Sequence, residues 1–156
     1  MSEPDPTRIV ADTDVLVADL LVGGSSREAL DLIRAHDWLS LVATTALLDE
    51  AMAVIRTLSD SALADDWRDT IANEVTLVTP TVNGHPAVVA AAAGEAATLL
   101  SLNPTFQSAT AGASIKPHVA TSIKAPDAFV TITDPATLHE ATVGEPYSGT
   151  DRDPRA

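Results

Sequence analysis

Short apolar runs, each followed by a stretch with helical spacing, recur along this chain, and that alternation constrains the fold more than any other feature. Residues 8–11, ending at Asp12, and 40–43 are the clearest runs, and 75–78, 98–102 and 118–122 are further strand candidates. Runs this short and this apolar suit strands covered on both faces, as in a parallel sheet.

Helical patterns fill the intervals. Ser25 or Ser26 can cap a helix to about Ala35, with Ala29, Leu30, Leu32 and Ile33 on its inner face. Thr44 or Thr45 can cap the next, where Leu47, Ala51, Val54, Ile55 and Leu58 recur at helical spacing. Ser59 or Asp60 opens a further helix to about Ala72. Pro86 suits the first turn of an Ala-rich helix to about Ala93, because its missing N–H costs nothing there. Pro126 opens a last short helix with Phe129 and Ile132 turned inward. Strand then helix, repeated without an internal repeat, predicts a three-layer α/β fold with a central, mostly parallel sheet flanked by helices and right-handed crossovers. The pattern predicts a frayed N-terminus over 1–7, one domain over 8–133, and a flexible acidic, Pro-rich tail over 134–156.

Composition narrows the chemistry. The chain has 156 residues and a net charge of −13, from fifteen Asp and seven Glu against seven Arg and two Lys. It has no cysteine, which excludes disulfides, thiolate metal sites and a Cys nucleophile. Five aromatic residues are too few for a stacking platform, and the acidity argues against a wide phosphate-neutralising surface. Short carboxylates with little Lys suit a halophilic protein, since at molar salt the Debye length falls to about 3 Å and self-repulsion costs little. A surface that mates with a basic partner is the competing reading. No run approaches the ~20 apolar residues of a membrane span, and no N-terminal apolar run follows a basic segment. A soluble, cytoplasmic protein without a membrane partner is expected.

In open parallel sheets, functional groups collect at the carboxyl ends of the strands. Asp12, Thr13 and Asp14 stand there after the first run, where carboxylates can hold a hard cation such as Mg²⁺ or Mn²⁺. Asp12 or Thr13 can equally cap a helix beginning near Val15. Glu50 lies at the edge of the inner face of its helix, within reach of Asp12, whereas Asp49 points to solvent. His36, His118 and His139 have no partner at ligand spacing.

Taken in order, RIVADTDVLVADLLVGGSSREALDLI, SLVATTALLDEAMAVI, GHPAVVAAAAGEAATLLSLNPTF and IKAPDAFV resemble the PIN-domain family of metal-dependent ribonucleases, over residues 8–132. The chain looks like a divergent, haloarchaeal-type member. Asp12-Thr13-Asp14-Val15-Leu16 is similar to that family's Asp-Thr-Asn-Val-Leu motif, Glu50 to its helical acid, and Pro126-Asp127-Ala128-Phe129 to its closing Pro-x-x-Phe. Thr44 or Thr45 stands where the family often has Ser. The resemblance implies a PIN-like fold and a site of Asp12, Asp14 and Glu50, with Asp12 and Glu50 as metal ligands and Thr13, Thr45, His85 and Asn103 nearby. Family members use their acids to hold Mg²⁺ or Mn²⁺, which activates water and stabilises charge on a phosphate.

Two of those acids are replaced. His85, before Pro86, stands at the third acidic position, and Asn103, in Ser101-Leu102-Asn103-Pro104-Thr105-Phe106, at the fourth. Losing two carboxylates weakens the hold on Mg²⁺. Asp14 in place of Asn returns one negative charge, and His85 can ligate Mn²⁺ or Zn²⁺ or simply cap its helix. The resemblance therefore implies a degenerate metal site in an RNA-related or protein-interaction module with weak or lost nuclease activity, or else an active Mg²⁺/Mn²⁺-dependent endoribonuclease with a rearranged site. Single-stranded or structured RNA, a protein partner, and a second copy docked through the helices at 26–35 and 46–58 are the partners it implies. Asp12-x-Asp14 also resembles the haloacid-dehalogenase-like phosphohydrolases. Leu16 stands where they need Thr or Val, however, and no acidic pair follows Lys116 or Lys124. Gly23-Gly24 lacks the third glycine of a dinucleotide fold and follows a helical segment.

Overall fold

The computed structural model describes residues 4–103, 121–152 and 154. Five strands, β1 (Asp5–Ala11), β2 (Ser40–Ala43), β3 (Val75–Leu77), β4 (Ala96–Leu100) and β5 (Ser122–Lys124), form one sheet in the order β3-β2-β1-β4-β5. Every pairing in it is parallel. The described helices are α1 (Thr13–Leu21), α2 (Gly24–Arg34), α3 (Thr45–Leu58), α4 (Ser61–Ala72), α5 (Pro86–Gly94), α6 (Pro126–Ile132) and α7 (Pro135–Thr142).

Register divides the sheet into two faces. Ile9 pairs with Leu41 and Thr98, and Val10 with Val42 and Leu99, so each set looks to its own side. Helix α5 lies on the Val42 side, where Gly94 backs so closely onto the Val42 side chain that a Cβ would collide with it. Helices α6 and α7 lie on the Thr98 side, lining a common cavity with Thr98 and Ser122. Ile9, Leu16, Leu30, Leu47, Ile55 and Leu99 are fully buried between these layers. The expected three-layer α/β architecture is present. Among the described residues no helix is long and apolar enough to cross a membrane.

Local differences have local causes. Strand β1 starts at Asp5, inside the segment expected to fray. There the Asp5 N–H donates to Glu95 O at 2.7 Å, and the Asp5 carboxylate accepts from Thr7 N and Oγ1. Helix α1 starts at Thr13 rather than Val15, because Asp12 is its cap. Neither Ser25 nor Ser26 caps α2: both lie inside a helix that begins after Gly23. Positive φ at Gly23 and Gly24 lets the chain reverse there, and Arg27 ties α2 back to the carbonyls of Asp19 and Leu20. Strand β4 stops at Leu100, since Ser101 and Leu102 turn out toward Asp12 and Asp14. Strand β5 begins at Ser122, whereas 118–120 of the expected run lie outside the described residues, as does Phe106.

At the C-terminal end, Phe129 is buried as expected but Ile132 is 62% exposed, because α6 ends there. The segment read as a tail from 134 contains α7, capped by Asp134 with Pro135 in its first turn. It then doubles back, placing Tyr147 Oη 2.7 Å from His36 Nε2 and the Arg152 guanidinium 2.7 Å from His36 O.

Candidate functional site

Strand order reverses beside β1. The chain runs outward from β1 to β2 and β3, then returns to place β4 and β5 on the other flank. Such a switch point leaves a crevice beyond the carboxyl ends of the two strands that meet there. Here the Asp12 N–H donates to Leu100 O at 2.8 Å, joining the first residue after β1 to the last of β4. Asp12 follows directly from that joint and is 6% exposed.

Each Asp12 oxygen has a task. Oδ1 accepts from Thr13 N at 2.8 Å as the α1 cap, and Oδ2 accepts from Ser101 Oγ at 3.1 Å. Asp14, one residue into α1, accepts from Leu102 N at 3.1 Å through Oδ2, with Ser101 Oγ at 3.5 Å. Its Oδ1 is buried without a hydrogen-bond partner among the described residues, as is Thr13 Oγ1. Burial, and after it the charge of Asp12, holds the Asp14 carboxyl above its ordinary range; the N–H groups of Leu102 and Val15 and the Ser101 hydroxyl pull it partly back. The pair is therefore short of positive charge. Ser101 is fully buried, and its hydroxyl, which also accepts from Asn103 N at 3.1 Å, bridges the two acids. No motif in the sequence marks Ser101; its place directly after the strand beside β1 is the one signal that points to it.

The remaining candidates are spread around this pair. His85 caps α5, its Nδ1 accepting from Ala87 N at 3.2 Å, so the neutral ring carries its proton on Nε2. That nitrogen stands 4.0 Å from Asp12 Oδ1. Glu50 is exposed on α3 and lines the same groove as Asp12, Thr13, Asp14 and His85. No hydrogen bond or ion pair links Glu50 to Asp12 among the described residues. Thr44, buried, is the α3 cap and accepts from Leu47 N at 3.2 Å. Thr45 is the exposed first residue of that helix and does not line the groove. Asn103 is exposed and reaches the site through its backbone.

The groove has a volume of about 450 Å³ and two characters. Its acidic end holds Asp12, Asp14 and Glu50, and its walls are Val17, Val22, Val54 and Leu58. Val22 and Leu58 are 79% and 65% exposed. Among the described residues no three His, Asp or Glu side chains gather as a metal-binding group. The donor set still suits one hard cation, because beside Asp12 the Asp14 carboxylate keeps a buried oxygen without a hydrogen-bond partner among the described residues.

Sheet order and acidic crevice together define a doubly wound α/β domain with a carboxylate pair at its switch point. The chain belongs to DUF7384, a family of unknown function, whose model matches residues 3–155. Neither the curated proteins nor the solved structures contain a match to it.

Proposed function

We propose that this chain is a PIN-like, RNA-contacting module with a degenerate acidic metal site, holding a single Mg²⁺ or Mn²⁺ weakly and cleaving RNA slowly or not at all. The observation that carries the reading is the Asp12–Ser101–Asp14 bridge at the switch point, with Glu50 in the same groove and His85 and Asn103 where the PIN resemblance implies acids. When bound, the cation supplies Lewis-acid activation of water and charge neutralisation at a phosphate. Asp12 and Asp14 would hold it, Ser101 keeps the two carboxylates together, and Glu50 faces the groove from α3. A second reading, an active endoribonuclease, is favoured by the Asp14 oxygen that has no hydrogen-bond partner among the described residues, a lone pair left for a cation beside Asp12.

The test combines calorimetry with Mn²⁺, filter binding of single-stranded RNA, and RNA cleavage at high KCl. We expect millimolar Mn²⁺ affinity that is lost in Asp12→Asn, RNA retention, and cleavage near background. Asn is as good a helix cap as Asp, so this variant keeps α1. Cleavage that vanishes in both Asp12→Asn and Glu50→Gln selects the active enzyme. A chain that neither retains nor cleaves RNA sinks both and leaves a protein partner, for which the exposed Val22 and Leu58 are the natural contacts.

A further inference from the structure

A second cavity, of about 460 Å³, lies between the β4–β5 edge of the sheet and helices α6 and α7, and shares no lining residue with the acidic groove. Pockets of roughly 300–1,000 Å³ with apolar walls and a few placed polar groups are the usual form of small-ligand sites. Phe129 and Leu138 supply apolar wall from the two helices, and Thr98, Ser122 and Lys124 line it from the sheet. Ile132, which an amphipathic helix would turn inward, stands 62% exposed on its border.

Lys124 is the unusual member. In a chain of net charge −13 with only two lysines, this partly buried residue has no carboxylate partner within ion-pair distance among the described residues. An ammonium beside an apolar wall makes a charge-assisted contact with an anion brought to it. The acid bordering the same cavity, Asp134, is turned to other work: Oδ1 accepts from Ala136 N at 3.1 Å and Oδ2 from Thr137 Oγ1 at 2.7 Å, at the start of α7. The cavity thus carries one positive and one negative side chain on its lining, and Lys124 and Asp134 form no ion pair across it among the described residues.

We propose that this cavity binds a small amphiphilic monoanion, its carboxylate at Lys124 and its aliphatic body against Phe129 and Leu138. The site is separate from the acidic groove and does not depend on what that groove does. Amide NMR spectra of the full chain, in KCl buffer, titrated with octanoate, test it, with octylamine as the cationic control and acetate as the control lacking an apolar body. Saturable shifts at Thr98, Ser122, Phe129 and Leu138 are expected with octanoate alone. Lys124→Gln should weaken them by about tenfold, and Lys124→Arg should preserve them, because the charge-assisted contact survives. The same spectra report whether each variant is folded. Octylamine or acetate binding as tightly, undiminished octanoate binding in a folded Lys124→Gln, shifts confined to Val22 and Leu58, or no saturation at all would each overturn the proposal.

Discussion

Arg34 gathers carboxylates from three places in the chain. Its guanidinium forks onto Asp19 of α1 at 2.9 and 2.6 Å, reaches Asp31 one turn back at 3.1 Å, and meets Glu74, just before β3, at 3.1 Å. Burial works against the cation, yet Asp19's hydrogen bond and charge, then those of Glu74 and Asp31, raise the Arg34 pKa. The carboxylates are not equivalent. Asp19 is 6% exposed and forms the two-pronged contact, so Asp19→Asn removes the best-buried of the three charges while Asp31 and Glu74 still face Arg34, and should cost about 1.5–3 kcal/mol in urea unfolding. Glu74 is less buried, and its carboxyl is raised from the ordinary 4.5 by burial, which Arg34 offsets only in part while Asp19 and Asp31 add repulsion. Because the folded state favours its proton, the stability Glu74 contributes is present below its unfolded pKa and is lost as pH rises through the folded one. Glu74→Gln should therefore cost less than about 1 kcal/mol at pH 7, and the wild type's advantage over it should shrink from pH 4 upward. An advantage that grows with pH would show that Arg34 outweighs burial.

At the scale of elements, α5 is the most constrained piece. Ala87, Ala90 and Ala91 are fully buried, and Gly94 presses on Val42, so the helix sits nearer the sheet than larger side chains permit. It ends on Glu95, whose backbone is left-handed at φ 53° and ψ 39°. A side chain there meets its own carbonyl, and glycine is the residue that helix ends usually place in that conformation. Glu95→Gly should raise stability by about 0.5–1 kcal/mol, read as a shift in urea midpoint at constant slope. A loss instead would mean that the Glu95 side chain holds the turn into β4. The same helix presents His85 at its start, where the cap fixes which ring nitrogen carries the proton. The element thereby decides how the groove meets Asp12.

For the whole molecule, charge dominates. Asp60, Asp65, Asp66 and Asp69 lie exposed on or beside α4, away from the switch-point acids. Their mutual repulsion is what salt removes, as the Debye length shortens from about 10 Å at 0.1 M to about 3 Å at 1 M. We expect Tm to rise by several degrees over that range of KCl, since about 1 kcal/mol moves Tm by roughly 2–4 °C in a domain of this size. A flat or falling Tm would point instead to acids kept for a basic partner surface.

The sequence by itself determined the alternation of strand and helix, because burial on both faces writes near-continuous apolar runs and helix packing writes its own period. It also located Asp12 and Asp14 after the first strand and narrowed the caps to one of two neighbours: Thr44 or Thr45, Ser59 or Asp60. It misplaced the cap of α2 at Ser25 or Ser26 and the inward face of Ile132, and it did not announce the helix within the segment after 134. There, Gly23 replaced a side-chain cap, α6 stopped before its period could be used, and Asp134 started a helix no strand announced. Tertiary structure alone decided that Ser101 joins Asp12 to Asp14, that Glu50 shares their groove without a hydrogen bond to either among the described residues, and that Lys124 borders a cavity walled by Phe129 and Leu138. The physical reason is separation along the chain. Residue 101 meets residue 12 only because the sheet sets β4 against β1, and no local propensity carries that information.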